Sequence, residues 1–278
     1  VRSLEIAQRH PNSTEFKPIH AIAVLALAVE TESIVSGGRG LVSSEDLTIA
    51  ANNMKEYAEY CLDVEYADQH DLSAYLNNAA VLLRLCGRHA EIEQLLTRGL
   101  SRVADQPQLR RLLAMAFLGQ DRPRKALEIL DGDPDPENSI FRAELLGTVG
   151  DLNGALASAK AIATGNLPPR LQWLRWNIVG EAALQLGNKA ELNSAIVGIR
   201  AIDQRDVAAA LLEIRGEANA GNKDVARDRL IALASSLPDD LDMFSRRMLA
   251  EELRNQGFPE EASRLLEGKV DLSRLNSS

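Results

Sequence analysis

The sequence predicts an all-α fold, a solenoid of stacked antiparallel helix–turn–helix units, on three observations. A small-residue hinge recurs roughly every 30 to 37 residues, the length of one helical hairpin. Apolar residues fall three and four apart on both sides of those hinges, which puts them on one face of a helix. Aromatic residues make up only 4% of the 278 residues, while Ala and Leu abound. A core of small and straight-chain side chains suits helices, whereas strands draw on Val, Ile, Thr and aromatics.

Taken in chain order, residues 1–70 read as a helical cap or degenerate repeats. Ser3 to Arg9, followed by Pro11, has the pattern of a second helix from a truncated earlier unit. A helix is expected from about Lys17 to Val35. Its run Ala21–Val29 is apolar but far shorter than the roughly twenty residues needed to span a bilayer, so it reads as a buried core helix. The loop Ser36-Gly37-Gly38-Arg39-Gly40 follows, and Ser43, Ser44 and Glu45 can cap a further helix running towards Asp68. The chain begins with Val1, and it reads as one segment of a longer protein.

The regular part spans residues 71–267, about six hairpins. Their hinges lie at Cys86-Gly87-Arg88, Gly119-Gln120-Asp121, Gly150-Asp151, Gly187-Asn188, Gly221-Asn222 and Gly257-Phe258. A Gly at the end of a helix supplies the left-handed residue that closes the last turn. The Asp or Asn beyond it can cap the next helix. Just inside each second helix stands a small or apolar residue, namely Ile92, Ala126, Ala155, Leu192, Ala226 and Ala262. A small side chain there lets the two helices of a hairpin approach closely. Residues 112–130 are the clearest copy. Pro107, Pro136, Pro168 and Pro238 fall near unit boundaries, where a residue without a donor ends one helix and starts the next. Residues 268–278 lose periodicity and are expected to fray.

These features resemble tetratricopeptide repeats. That family pairs helices around an apolar ladder, with an aromatic and a close-packing Gly in the first helix and a small residue in the second. Trp176, Val179 and Gly180 match the first-helix pattern. The ladder breaks at Arg142 and Glu213, and no unit carries the whole signature. The resemblance implies a right-handed α-solenoid whose first helices line a concave side, a surface on which such repeats often grip extended peptides. Counting back from the hinges gives the inward-facing candidates Asn77, Val81, Arg84, Gln108, Arg111 and Met115. Further along they are Asn177, Glu181, Leu184, Phe244, Arg247, Glu251 and Arg254. The peptide-binding set expected from them is Asn77, Arg84, Arg111, Asn177, Glu181, Arg247 and Arg254. Asn can satisfy peptide backbone groups and Arg can pair with a carboxylate. Trp173 and Trp176 share one helix face and are expected in the core.

Motifs for chemistry are weak. Asp131-Gly132-Asp133-Pro134-Asp135-Pro136 spaces its carboxylates like a calcium loop, but Pro136 and Arg142 stand where that loop needs Gly and a bidentate Glu. It reads as an acidic turn between repeats. The Gly37–Gly40 loop lacks the Lys-Ser/Thr of a phosphate loop. Ser43-Ser44 reads as a cap, not a nucleophile. Cys61 and Cys86 form no CxxC pair and read as buried thiols in a reducing compartment. The four His are dispersed, without the spacing of a zinc site. No cofactor or metal is therefore expected. The net charge of −9 argues against a nucleic-acid partner, since phosphate binding relies on clustered Lys and Arg.

The expected function is that of a cytoplasmic protein-interaction module, not an enzyme, which holds a protein or peptide on its concave face. Self-association is the alternative partner within that class. From a different class, the chain reads as the regulatory helical-repeat domain of an enzyme whose catalytic portion lies outside it.

Overall fold

The computed structural model describes residues 21–22, 24–25, 43–64, 69–103, 106–163, 165, 167–236 and 242–266. The expected helix at Ser3–Arg9, the Gly37–Gly40 loop, Pro238 and the 268–278 tail lie outside the described residues. Ala21, Ile22, Val24 and Leu25 are helical, with Ala21 and Val24 buried.

From Ser43 onward the regular structure among the described residues is helical throughout. The helices are α1 (Ser44–Asp63), α2 (Gln69–Leu85), α3 (His89–Leu100), α4 (Pro107–Gly119), α5 (Pro123–Ile129), α6 (Pro136–Thr148) and α7 (Leu152–Ala161). They continue as α8 (Pro169–Gln185), α9 (Lys189–Ile202), α10 (Val207–Asn219), α11 (Lys223–Ser235), α12 (Met243–Asn255) and α13 (Pro259–Leu266). The chain divides into two compact units, Val1–Asn138 and Ser139–Ser278. The described helices of each unit form a stack of antiparallel hairpins.

Every hinge uses the same backbone device. At the first, Gly87 N–H donates to Arg84 O and Arg88 N–H to Leu83 O, both at 2.9 Å. This bond pair satisfies carbonyls that the helix end would otherwise leave open. The pair recurs at Gly150, Gly187, Gly221 and Gly257, all with positive φ. The second hinge differs from expectation: the left-handed residue is Asp121, at φ 57°, not Gly119. Gly119 is instead the last residue of α4, and a Cβ there would lie 2.5 Å from the His89 ring. Its glycine serves a close helix approach, and the left-handed turn falls two residues further on, at Asp121.

Caps agree with the sequence in part. Ser43 Oγ accepts from Asp46 N–H at 3.0 Å, Asp151 Oδ1 from Gly154 N–H at 2.9 Å and Asn188 Oδ1 from Glu191 N–H at 3.2 Å. Asn222 turns its amide to Glu217 instead. Pro107, Pro123, Pro136 and Pro259 are first helical residues, where the missing N–H has no helical partner to lose.

In the first unit, α2 packs against both α3 and α4. Leu76, Leu82, Leu83, Ile92, Leu95 and Leu96 are fully buried there, and each such side chain contributes about 1.5–3 kcal/mol relative to exposure. Polar bonds tie successive hairpins: Arg88 to Asn52 at 2.6 Å, Arg98 to Asp63 at 2.8 Å and Arg122 to Glu93 at 2.6 Å. The acidic turn is structural. Asp133 is buried and its carboxylate accepts from Asp135 N–H, Asn138 Nδ2 and Arg110 Nη1 at 2.8–3.0 Å.

In the second unit, α8, α10 and α12 are the first helices of successive hairpins, with α8 against α10 and α10 against α12. The small second-helix residues are buried as expected, with Ala155 and Ala262 wholly so. Gly180 permits a close approach, since a Cβ would sit 2.5 Å from Leu212 Cδ1 and 3.3 Å from Ala195 Cβ. Trp176 lies flat on Gly198 and packs into the core, as its sequence position predicts. Where the ladder breaks, polar contacts take over. Arg142 reaches Ser158 at 3.3 Å, and Glu213 pairs with Arg200 at 2.7 Å and Arg229 at 3.0 Å.

Candidate functional site

The first helices of the second unit carry two cavities. The larger, about 410 Å³, opens at the N-terminal ends of α8, α10 and α12. Trp173 stands on one side and donates its indole N–H to Asp206 Oδ2 at 2.7 Å. Asp206 Oδ1 meanwhile caps α10 through Ala209 N–H at 3.1 Å. The Phe244 ring meets Trp173 edge-on, 5.7 Å between centroids and 75° between planes. Phe244 nonetheless remains 59% exposed. Asp242 caps α12, accepting from Ser245 N–H at 3.0 Å and Ser245 Oγ at 2.6 Å. Burial alone would raise the Asp242 pKa, but the bonds from Ser245 and Phe244 N–H outweigh it and hold the carboxyl below its usual value. Met248, Leu174 and Ala208 complete the apolar wall, and Arg170 lies at the rim.

The second cavity, about 320 Å³, lies between the α6–α7 hairpin and the C-terminal half of α8. Asn177, Glu181 and Gln185 face Glu144 and Thr148 across it. Asn177 Oδ1 is buried and accepts no hydrogen bond. An unpaired buried acceptor costs about 1–3 kcal/mol. Glu181 is bonded to Arg215 Nη1 at 2.7 Å, and Arg215 Nε reaches Glu252 at 2.6 Å. Burial alone would lower the Arg215 pKa, yet Glu181 and Glu252 outweigh it and raise the value. One guanidinium thus bridges three first helices.

The residues expected to bind peptide fall into several environments. Asn177 and Glu181 share the second cavity. Asn77, in the first unit, is half-buried and its Oδ1 is also without a partner. Arg84, Arg247 and Arg254 are exposed, and the last two lie outside both cavities. Arg111 is half-buried beside Glu137, with Asp135 at 3.9 Å. Its Nη1 is close to the Glu137 carboxylate without a hydrogen-bonding alignment. Leu184, an inward-facing candidate, is buried instead among Ala183, Leu192 and Ile196, because the α8–α9 contact wraps round the end of the helix. Asp206, Asp242, Met248 and Gln185 were not anticipated. The first two had a local signal, an Asp directly before an apolar helix.

Among the described residues, no three His, Cys, Asp or Glu are grouped so as to hold a metal. Cys61 is buried and Cys86 half-buried, both free, and burial pushes each thiol's pKa up. No described helix is long and apolar enough to cross a membrane.

No protein-family model matches the chain, and no curated protein sequence does so. Solved structures do align with it. YrrB, described as a TPR protein with an unusual peptide-binding site, is 15% identical over 74% of this chain and 95% of its own, with a TM-score of 0.44. The apo form of the quorum sensor NprR from B. thuringiensis is 12% identical over 97% of this chain and 92% of its own, at 0.46. A monomeric mutant of IFIT1 with Gppp-AAAA is 12% identical over 99% of this chain and 75% of its own, at 0.44. Scores and identities of this size carry no argument about ligands. The hairpin architecture rests on the chain's own helices and hinges.

Proposed function

We propose that this chain is a cytoplasmic protein-interaction module without catalytic activity of its own, and that it holds a peptide or protein segment on the faces of its first helices. The observation that supports this is Asn177, a lining residue of an open cavity whose buried Oδ1 has no hydrogen-bond partner. An extended peptide offers a backbone N–H of the kind this oxygen needs. Asn77 Oδ1 on α2 in the first unit is likewise a buried acceptor without a partner. Both fit repeated recognition of main chain, whose N–H groups an amide oxygen accepts from. The net charge of −9 further disfavours nucleic acid.

The test is affinity capture of a partner from lysate, followed by titration of the purified partner against the wild type and Asn177→Ala. Truncation removes the acceptor and leaves the partner's donor unpaired, so affinity should fall by about tenfold with helicity unchanged. Undiminished affinity in folded Asn177→Ala and Asn77→Ala chains refutes the surface. Capture of no partner at all refutes the module and leaves the regulatory domain of an enzyme.

A further inference from the structure

The cavity at the N-terminal ends of α8, α10 and α12 has a chemistry distinct from the polar groove below it. Three other aromatic rings are covered by the protein's own guanidinium groups. Arg175 lies 4.4 Å from the Trp176 ring centre, Arg122 5.0 Å from Phe117 and Arg227 5.2 Å from Phe258. Trp173 and Phe244 carry no such cation among the described residues, although Phe244 is 59% exposed. Two carboxylates flank the pair. Asp206 and Asp242 are each fixed by a helix cap, and a carboxylate has about four lone-pair sites, so both keep acceptor capacity beside the cavity they line. Among the described lining residues they outnumber the one cation, Arg170.

We infer that this cavity receives a basic side chain, lysine or arginine, from the peptide bound along the first helices. The inference rests on the interaction-module reading and goes beyond it by naming what the partner must present. The aliphatic stem lies against Met248, Leu174 and Ala208. The cationic head meets the Trp173 and Phe244 rings, an attraction of ring quadrupole and charge, and bonds to Asp206 and Asp242. A volume of about 410 Å³ holds one long side chain with its neighbouring backbone. Charge complementarity selects the occupant: an acidic side chain would face two fixed carboxylates, and a neutral one would bring them no counter-charge.

The test uses the full chain and four pentapeptides, Ac-Ala-Leu-X-Leu-Ala-NH2, with arginine, lysine, norleucine or glutamate at X. Binding is read from the Trp173 indole N–H and Met248 methyl NMR signals. The arginine and lysine peptides should shift both signals, with affinity about tenfold above the norleucine and glutamate peptides. In Asp206→Asn/Asp242→Asn that preference should disappear; Asn keeps both helix caps, the Trp173–Asp206 bond is lost, and circular dichroism checks that the helices are retained. Three results overturn the inference: glutamate or norleucine peptides binding as tightly, the basic preference surviving in the double variant, or no peptide shifting these signals at millimolar concentration. A captured partner that binds the double variant with full affinity but is lost by Asn177→Ala removes this pocket and keeps the module. A partner indifferent to both sets of changes removes the module itself.

Discussion

Arg215→Ala should destabilise the second unit more than any surface change, because Arg215 neutralises a buried charge. Its guanidinium bonds Glu181 at 2.7 Å and Glu252 at 2.6 Å, and the Glu252 side chain is only 4% exposed. Glu181 is 36% exposed, so water can resolvate it when its partner is removed. Glu252 cannot be resolvated without opening the α10–α12 contact. Its remaining bond is from Gln256 Nε2 at 3.0 Å. Removing one member of a buried ion pair costs about 3–5 kcal/mol. The surviving bond and Arg215's partial exposure (26%) place this case at the lower end, about 3 kcal/mol. Urea unfolding of the second unit supplies the number, and hydrogen exchange should place the loss in α10 and α12. Arg215→Met/Glu252→Met should recover most of it, since an apolar pair of similar size leaves no charge to solvate. A loss below about 0.5 kcal/mol, within the range of ordinary surface substitutions, would refute the reasoning. So would a double variant no better than the single.

Other predictions concern the first unit. Asp133 is buried, which alone would raise its pKa, but bonds from Asp135 N–H, Asn138 and Arg110 outweigh this and lower it. Its stabilisation is therefore present above the unfolded-state carboxyl pKa and lost as pH falls through the lower folded-state value. Asp133→Asn should flatten the acid limb of a stability–pH profile, and an unchanged limb contradicts the assignment. Asp121→Gly should raise stability by about 0.5–1 kcal/mol in thermal unfolding, since Asp121 occupies a left-handed position at φ 57° that glycine adopts without strain. A decrease would show that the Asp side chain matters more than the backbone. Ala126 is fully buried between α4 and α5, so Ala126→Glu should cost at least about 3 kcal/mol by inserting an unpaired charge. Hydrogen exchange should localise the loss to α4, α5 and their neighbours, and a uniform loss along the chain would contradict nearest-neighbour stability.

Much of the fold was legible because it is written in local chemistry. The glycines at 87, 150, 187, 221 and 257 mark turns that need a left-handed residue, and the small residues five positions on mark close helix contacts. The second hinge misled for a physical reason. Two demands fell two residues apart, a close approach to His89 at Gly119 and a turn at Asp121, and only one received the glycine. The site was less legible. Helical spacing placed Asn77 and Asn177 on the first helices, but it could not foresee which cations are already occupied. Arg215 meets Glu181 34 residues away and Glu252 37 residues away, and Arg111 lies beside Glu137 across a turn. The Trp173–Phe244 pair depends on three helices aligning their N-terminal ends. No periodicity within one helix encodes that.

The central claim is that the first-helix faces are where a partner binds. Hydrogen–deuterium exchange of the chain alone and with its captured partner tests it most directly. Added protection is expected in α8, α10 and α12, with the second helices α9, α11 and α13 unchanged. Protection confined to α9, α11 and α13 would contradict it.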